Sequence, residues 1–188
     1  MPISMNRFIQ AAEGAVPSNS TLKPMNCHEA VLGWALQGLD SAYCNPAPSG
    51  FGELAWKVVR DIASANCADS KQLTQTWVAQ NLYGDSARWG QILPGADVSA
   101  GEVLFMGNKH WVSHSMAVIN TTGGAVNCRG FNNAGAFGND TYMKWDTELQ
   151  NLADKSRWKD GEFRAVNGPT QIGFISLEKY LENVNKFL

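Results

Sequence analysis

Cys27 and His114 are the two residues whose types and settings combine most directly into a reaction. Cys27 stands where a loop rich in Ser, Pro and Asn (18–26) gives way to an apolar run with helical spacing, Ala30, Val31, Trp34, Ala35 and Leu36. A thiol at a helix start faces unpaired backbone N–H groups and the positive end of the helix dipole, so its thiolate is favoured and its pKa falls. A nucleophilic thiolate also needs an imidazole base within hydrogen-bond reach and a third polar group that fixes the ring. Two of the chain's three histidines lie in the stretch 101–120, GEVLFMGNKHWVSHSMAVIN. His114, which opens the apolar run Met116, Val118, is the first candidate base, and His110 is the alternative. On one continuous strand these two would share a face about 13 Å apart, so a single sulfur can meet only one of them.

The remaining roles fall to nearby amides. Asn127 is the candidate orienting residue, because an amide oxygen can accept the imidazole N–H and fix its tautomer. A regular hairpin closing at 121–124 would pair 118 with 127 and 114 with 131, so Asn132, Asn133 and Asp140 in the following loop are alternatives. The oxyanion of an acyl-transfer intermediate could be held by the backbone N–H of Cys27 or His28, with the Asn26 side chain assisting. His28 would point about 100° around the helix from the thiol, there to cap or line a groove. Glu29, in the first turn, complements the helix dipole.

These residues need a helix and a sheet to position them. The leader 1–24 reads as irregular, with a short amphipathic helix from Asn6 to Ala12, and is closed by Lys23-Pro24. Helices are predicted over Cys27 to Leu39, over Glu53 to Ala65 with Leu54, Val58 and Ile62 as its stripe, and over Ser70 to Leu82. Trp34, Trp56 and Trp77 fit core positions. Residues 101–105, Val112 to Ile119 and Ala125 to Cys128 read as an antiparallel meander. The Gly- and Asn-rich stretch 130–140 reads as a loop whose bare backbone could approach a ligand. Trp145 to Trp158 is predicted as a helix, Gln171 to Ser176 as a closing strand and Leu177 to Phe187 as a final helix. Helices first and an antiparallel sheet afterwards define an α+β fold, read as a single domain over 1–188.

Composition narrows the function classes. Hydrophobic residues make up 44% and charged residues 17% of the 188, which suits a packed core. A net charge of −2 without any Lys/Arg cluster gives nucleic-acid binding no support. Cys27, Cys44, Cys67 and Cys128 are irregularly spaced and form no zinc pattern, so neither metal nor cofactor is required. A Cys44–Cys67 disulfide is an alternative in an oxidising compartment. No apolar run has the length of a membrane span, and the first twenty residues lack a secretory apolar core. The expectation is synthesis in the cytoplasm without a signal peptide, with a specialised secretion system carrying the chain if it works elsewhere.

The chain resembles the papain-like cysteine hydrolases, and within them the NlpC-type peptidoglycan amidases. Asn26-Cys27 matches the polar residue and nucleophile at a helix start, and Gly101-Glu102-Val103-Leu104-Phe105 matches the Gly-acid-hydrophobic strand that leads to the His strand, here Ser113 to Ile119. Val126-Asn127 occupies the place of the return strand with its third polar group, and His110-Trp111-Val112 fits the variant in which Trp follows the catalytic His. The resemblance covers less than half of the chain. It departs from the family at His28-Glu29, where small residues usually follow the Cys, and in the long Cys-to-His separation, which a helical insertion over 40–90 would explain.

The resemblance implies N-terminal helices packed on a small antiparallel sheet and hydrolysis of an amide bond by a Cys-His-Asn/Asp site. Several secreted bacterial effector toxins are papain-like and lack ordinary signal peptides, and this chain looks like such a member. Its substrate would be a peptidoglycan stem peptide or an amide of a target protein, by cleavage, deamidation or transamidation, and an immunity protein could plug its groove. Two readings of other classes stand beside it: a catalytically inactive papain-like binding module, and a partner protein of a secretion machine.

Overall fold

The computed structural model describes residues 2–14, 26–44, 53–90, 97–122, 126–131, 143–145, 155–165 and 168–188. Helices gather on one side of an antiparallel sheet, an α+β arrangement. The helices are α1 (Met5–Glu13), α2 (Cys27–Leu39), α3 (Glu53–Asn66), the short α4 (Gln75–Val78), which runs into a π turn at Ala79–Tyr83, and α5 (Leu177–Val184). The strands are β1 (Arg88–Trp89), β2 (Val103–Asn108), β3 (Trp111–Asn120), β4 (Asn127–Phe131), β5 (Met143–Trp145), β6 (Trp158–Lys159), β7 (Glu162–Ala165) and β8 (Gly168–Ile175). Their order is β5-β4-β3-β2-β8-β7-β6, with β1 pairing onto β8. The C-terminal strand β8 therefore closes the sheet next to β2 rather than extending its far edge.

Helix α2 is the centre of the helical layer. Every residue from Cys27 to Gly38 is buried, so it is apolar around most of its circumference and covered on all sides. It packs on α1, α3, α5 and the inner face of β3. Helix α1 seals its far end: Arg7 Nε donates to Gln37 O at 3.0 Å, and Ser4 N donates to Gly38 O at 2.8 Å. These bonds satisfy carbonyls that a buried helix C-terminus would otherwise leave unpaired. The helix-side core joins Val31, Trp34, Leu36, Val59, Ile62 and Leu82 to Phe105, Ala117 and Ile119 of the sheet. A second cluster, Leu104, Met116, Val118, Cys128, Phe163 and Ile172, fills the opposite face. Alternation along β2 and β3 separates the two.

Several expectations need correction. Of the Leu54–Val58–Ile62 stripe expected on α3, Ile62 is buried and Val58 packs half-buried against the core, but Leu54 is 45% exposed; Ala55, Trp56, Val59 and Ala63 complete the inward face. The predicted helix from Ser70 to Leu82 begins only at Gln75, because Thr74 caps it and Ser70 is tied into a turn through its hydroxyl. Trp145 and Trp158 belong to strands β5 and β6, not to the ends of one helix. Residues 146–154 between them, like most of the 130–140 loop, lie outside the described residues. The short helix expected from Asn6 to Ala12 is present as α1, capped by Ser4, and it buries Phe8, Ala11 and Ala12 in the core. The short strands β1, β6 and β7 had no periodic signal to announce them.

Gly173 of β8 shows how tightly the sheet centre is filled. Its Cα pairs with Phe105 of β2 and with Trp89 of β1, and a Cβ there would fall on the Phe105 ring. Phe105 and Trp89 meet edge to face with centroids 5.0 Å apart across this gap. Gly173→Ala should cost about 1–3 kcal/mol by overpacking, read as a shift of the denaturant midpoint; an unchanged midpoint would contradict this packing.

Candidate functional site

The site grows from the N-terminus of α2. Asn26 is its N-cap: Asn26 Oδ1 accepts from the backbone N–H of His28 and of Glu29, each at 3.0 Å. Glu29 completes a capping box by accepting from Asn26 N at 2.9 Å. The same two side chains reach across to Leu73, whose N–H donates to Glu29 Oε1 and whose carbonyl accepts from Asn26 Nδ2. One residue of the 40–90 segment is thus held through both its backbone groups against the start of α2. This places Ser70, Gln72, Thr74 and Gln75 beside Cys27, where with Leu73 and Ser113 they line a cleft of about 330 Å³. Its wall is polar and uncharged.

Cys27 occupies the first helical position and is buried at the base of this cleft. Burial alone would push its thiol up. The charge of His28 and hydrogen bonding to the His114 and His28 imidazoles outweigh burial and hold the thiol well below 9.0. Two imidazoles therefore share one sulfur. Cys27 Sγ also lies 3.9 Å from the carbonyl of Ser113. Cys44, Cys67 and Cys128, like Cys27, form no disulfide, so Cys44 does not bridge Cys67.

His114 comes to the thiol by way of a β-bulge. Met106 pairs with His114 but Gly107 with Val112, so Ser113 is an extra residue in β3 that breaks the alternation and re-aims the strand. The ring of His114 lies over Gly130 of β4, where a Cβ would come within 2.8 Å of Nε2. A side chain at 130 would displace the imidazole. Ser115, the next residue but one after the bulge, turns fully inward. Its Oγ is 2.8 Å from His28 Nδ1 and makes a short hydrogen bond with the Tyr83 hydroxyl.

The other sequence candidates are distributed differently. His110 is not on a strand shared with His114: it lies in the exposed β2–β3 turn, its N–H bonded to Asn108 Oδ1. Asn127 pairs with Asn120 at the opposite end of β3, and its Nδ2 donates to Asn120 Oδ1. A register shift between Val118 and Asn120 pairs 118 with 128 and 116 with 130, so the expected pairing of 118 with 127 fails by one residue. The structure does not bring Asn127 to the imidazole. Asn132, Asn133 and Asp140 lie outside the described residues. The Asn26 side chain and the His28 N–H are consumed in the cap, so the first-turn amide left outside the Asn26 cap is that of Cys27 itself. His28 does line the cleft, as expected, but it is only 2% exposed and its Nδ1 turns inward to Ser115.

Leu73, Tyr83, Ser115 and Gly130 escaped the sequence reading. Leu73 and Tyr83 carried no signal, because both act through tertiary contacts. Ser115 had one: it is a hydroxyl in the middle of a buried strand, and such a group needs partners. Among the described residues no group of three or more His, Cys, Asp or Glu side chains is placed to hold a metal ion, and no helix is long and apolar enough to cross a membrane. No protein-family model, curated protein or solved structure matches the chain.

Two variants test this geometry. Gly130→Ala should push the His114 ring off its seat and slow iodoacetamide labelling of Cys27 near neutral pH by roughly tenfold, about one unit of thiol pKa; unchanged labelling would contradict the contact. Glu29 is raised by burial from 4.5 to about 7, against the lowering effect of the Asn26 and Leu73 amides. A carboxyl with a raised folded-state value contributes stability that is complete below its unfolded value and lost as pH rises through the folded one. The stability advantage of the native chain over Glu29→Gln should therefore shrink between about pH 5 and about pH 8 in denaturant unfolding. A widening gap would contradict it.

Proposed function

We propose that this chain is a cysteine-nucleophile amide hydrolase of papain-like type. The observation that carries the reading is the buried Cys27 thiol, held low at a capped helix N-terminus between two imidazoles and open to a cleft. Burial without activation would make an inert thiol. The same contact weighs against an inactive binding module, whose thiol and imidazole would be out of reach of each other.

In this mechanism the Cys27 thiolate attacks the amide carbonyl carbon and forms a C–S bond. The oxyanion that results is met by the backbone N–H of Cys27. His114, carrying the proton, gives it to the departing nitrogen as the C–N bond breaks and a thioester remains. Water, deprotonated by His114, then attacks the thioester; the C–S bond breaks, releasing the acid and restoring the thiolate. The uncharged polar wall formed by Gln72, Thr74 and Gln75 suits a neutral, hydrogen-bonding acyl chain such as a carboxamide or peptide backbone. Peptidoglycan stem peptides and protein glutamines both meet that description. A bacterial effector toxin, delivered by a specialised system and restrained by an immunity protein that fills the cleft, is the setting this reading implies.

Hydroxylamine trapping tests it. Incubation with peptidoglycan fragments, or with glutamine-bearing and ordinary peptides, in the presence of hydroxylamine should convert a thioester to a hydroxamate whose mass identifies the carbonyl attacked. The product should vanish in Cys27→Ala and fall roughly 10²-fold or more in His114→Ala, the usual range for loss of a general base. Equal product from Cys27→Ala would remove the thiol from the chemistry.

A further inference from the structure

His28 has no role in a one-base mechanism, yet it is buried beside the nucleophile with its own chain of hydroxyl partners. His28 Nδ1 meets Ser115 Oγ at 2.8 Å, and Ser115 Oγ meets the Tyr83 hydroxyl. Three side chains from α2, β3 and the turn after α4 thus form one hydrogen-bonded line that ends at the thiol. Tyr83 is itself immobilised: it stacks on Phe105 with centroids 3.8 Å apart and leans on Tyr180 at 5.7 Å. Buried polar lines of this kind are costly unless every member is satisfied.

The protons on this line can be assigned. Tyr83 and Ser115 each have one hydroxyl proton. A phenol is a better donor and a poorer acceptor than an aliphatic hydroxyl, so Tyr83 donates to Ser115. The Ser115 proton is then directed to His28 Nδ1 in the neutral ring, which leaves the ring proton on Nε2; the charged ring carries a proton on Nε2 as well, so that nitrogen is an N–H donor in either state.

We propose that Tyr83 and Ser115 are positioning residues that lock His28 as a fixed N–H donor to the Cys27 sulfur, leaving His114 as the imidazole that moves protons. The inference rests on the cysteine-hydrolase reading and assigns a division of labour between its two imidazoles. His28 holds the thiolate in the resting state; His114 takes and returns the proton during turnover. Among the described residues, the other ionisable groups shown to interact with Cys27 or His28 are Glu29 on the same helix and Tyr83 itself. Burial pushes Glu29 up to about 7 and Tyr83 above its ordinary 10.0, so Tyr83 stays a neutral phenol throughout the range in which Cys27 titrates.

The test is the pH–rate profile of iodoacetamide labelling at Cys27, followed by mass spectrometry on the full chain, for the native protein, Tyr83→Phe, Ser115→Ala and the double variant. Tyr83→Phe keeps the stacked ring and removes only the hydroxyl farthest from the sulfur. It should slow labelling below the thiol pKa by roughly threefold to tenfold, about half to one pKa unit, and leave the fully ionised rate unchanged. Ser115→Ala should do the same or more, and Tyr83→Phe should add nothing in the Ser115→Ala background, because members of one line are not additive. Profiles identical to native in both single variants would overturn the proposal, as would additive effects or an equal loss at every pH. In those cases a native profile still shifted by His114→Ala would leave the hydrolase reading intact. A native Cys27 that labels like a free thiol would remove both.

Discussion

A helix end buried in a protein must have its N–H groups satisfied, and the N-terminus of α2 is such an end. The capping box of Asn26 and Glu29 answers this demand, and because both side chains have hydrogen-bonding capacity left over, they also secure Leu73. The rest of the site follows from that pair of contacts. With the cap fixed, Cys27 is set at the first helical position, its neighbour His28 is turned inward, and the 70–75 segment becomes the wall of the cleft. A hydrophobic helix interior and a polar, thiol-bearing end are thus joined within thirteen residues.

The sheet contributes position rather than charge. Strand β3 must present an imidazole to the thiol and a hydroxyl to His28 from residues 114 and 115, which ideal alternation would aim to opposite faces. Both residues keep regular register with Met106 and Phe105, the extra residue Ser113 lies just before them, and Gly130 leaves the space into which the His114 ring falls. Burial would by itself disfavour the thiolate, and the two imidazoles reverse the balance. Glu29 is the counterpart: the amides it accepts from hold it toward the carboxylate, but burial wins.

Local signals made α2 legible in the sequence almost to the residue: a Ser/Pro/Asn loop, an Asn cap, Glu three residues on and an apolar run. The hairpin of β2 and β3 was legible from its alternation, and α5 from its amphipathic spacing after Ser176. What failed depended on register or on tertiary contact. One bulge set Asn127 against Asn120, farther from the imidazole than a regular hairpin would leave it; a second inserted Ser113 next to His114. The helix expected from Ser70 lost its first turn to side-chain bonds of Ser70 and Thr74, which compete with the backbone ladder. Sequence placed His28 at the cap or groove but could not give its hydroxyl partners, because spacing around a helix gives direction but not the partner waiting there.

The central claim is that the Cys27 thiol ionises well below its ordinary 9.0 because of where α2 begins and what surrounds it. Ultraviolet absorbance of the thiolate, titrated as the difference between the native chain and Cys27→Ala, measures this directly. A transition well below 9.0, moved upward by His114→Ala, is the predicted result. A transition at or above 9.0 in the native chain would mean that burial governs the thiol and that the site is not an activated nucleophile.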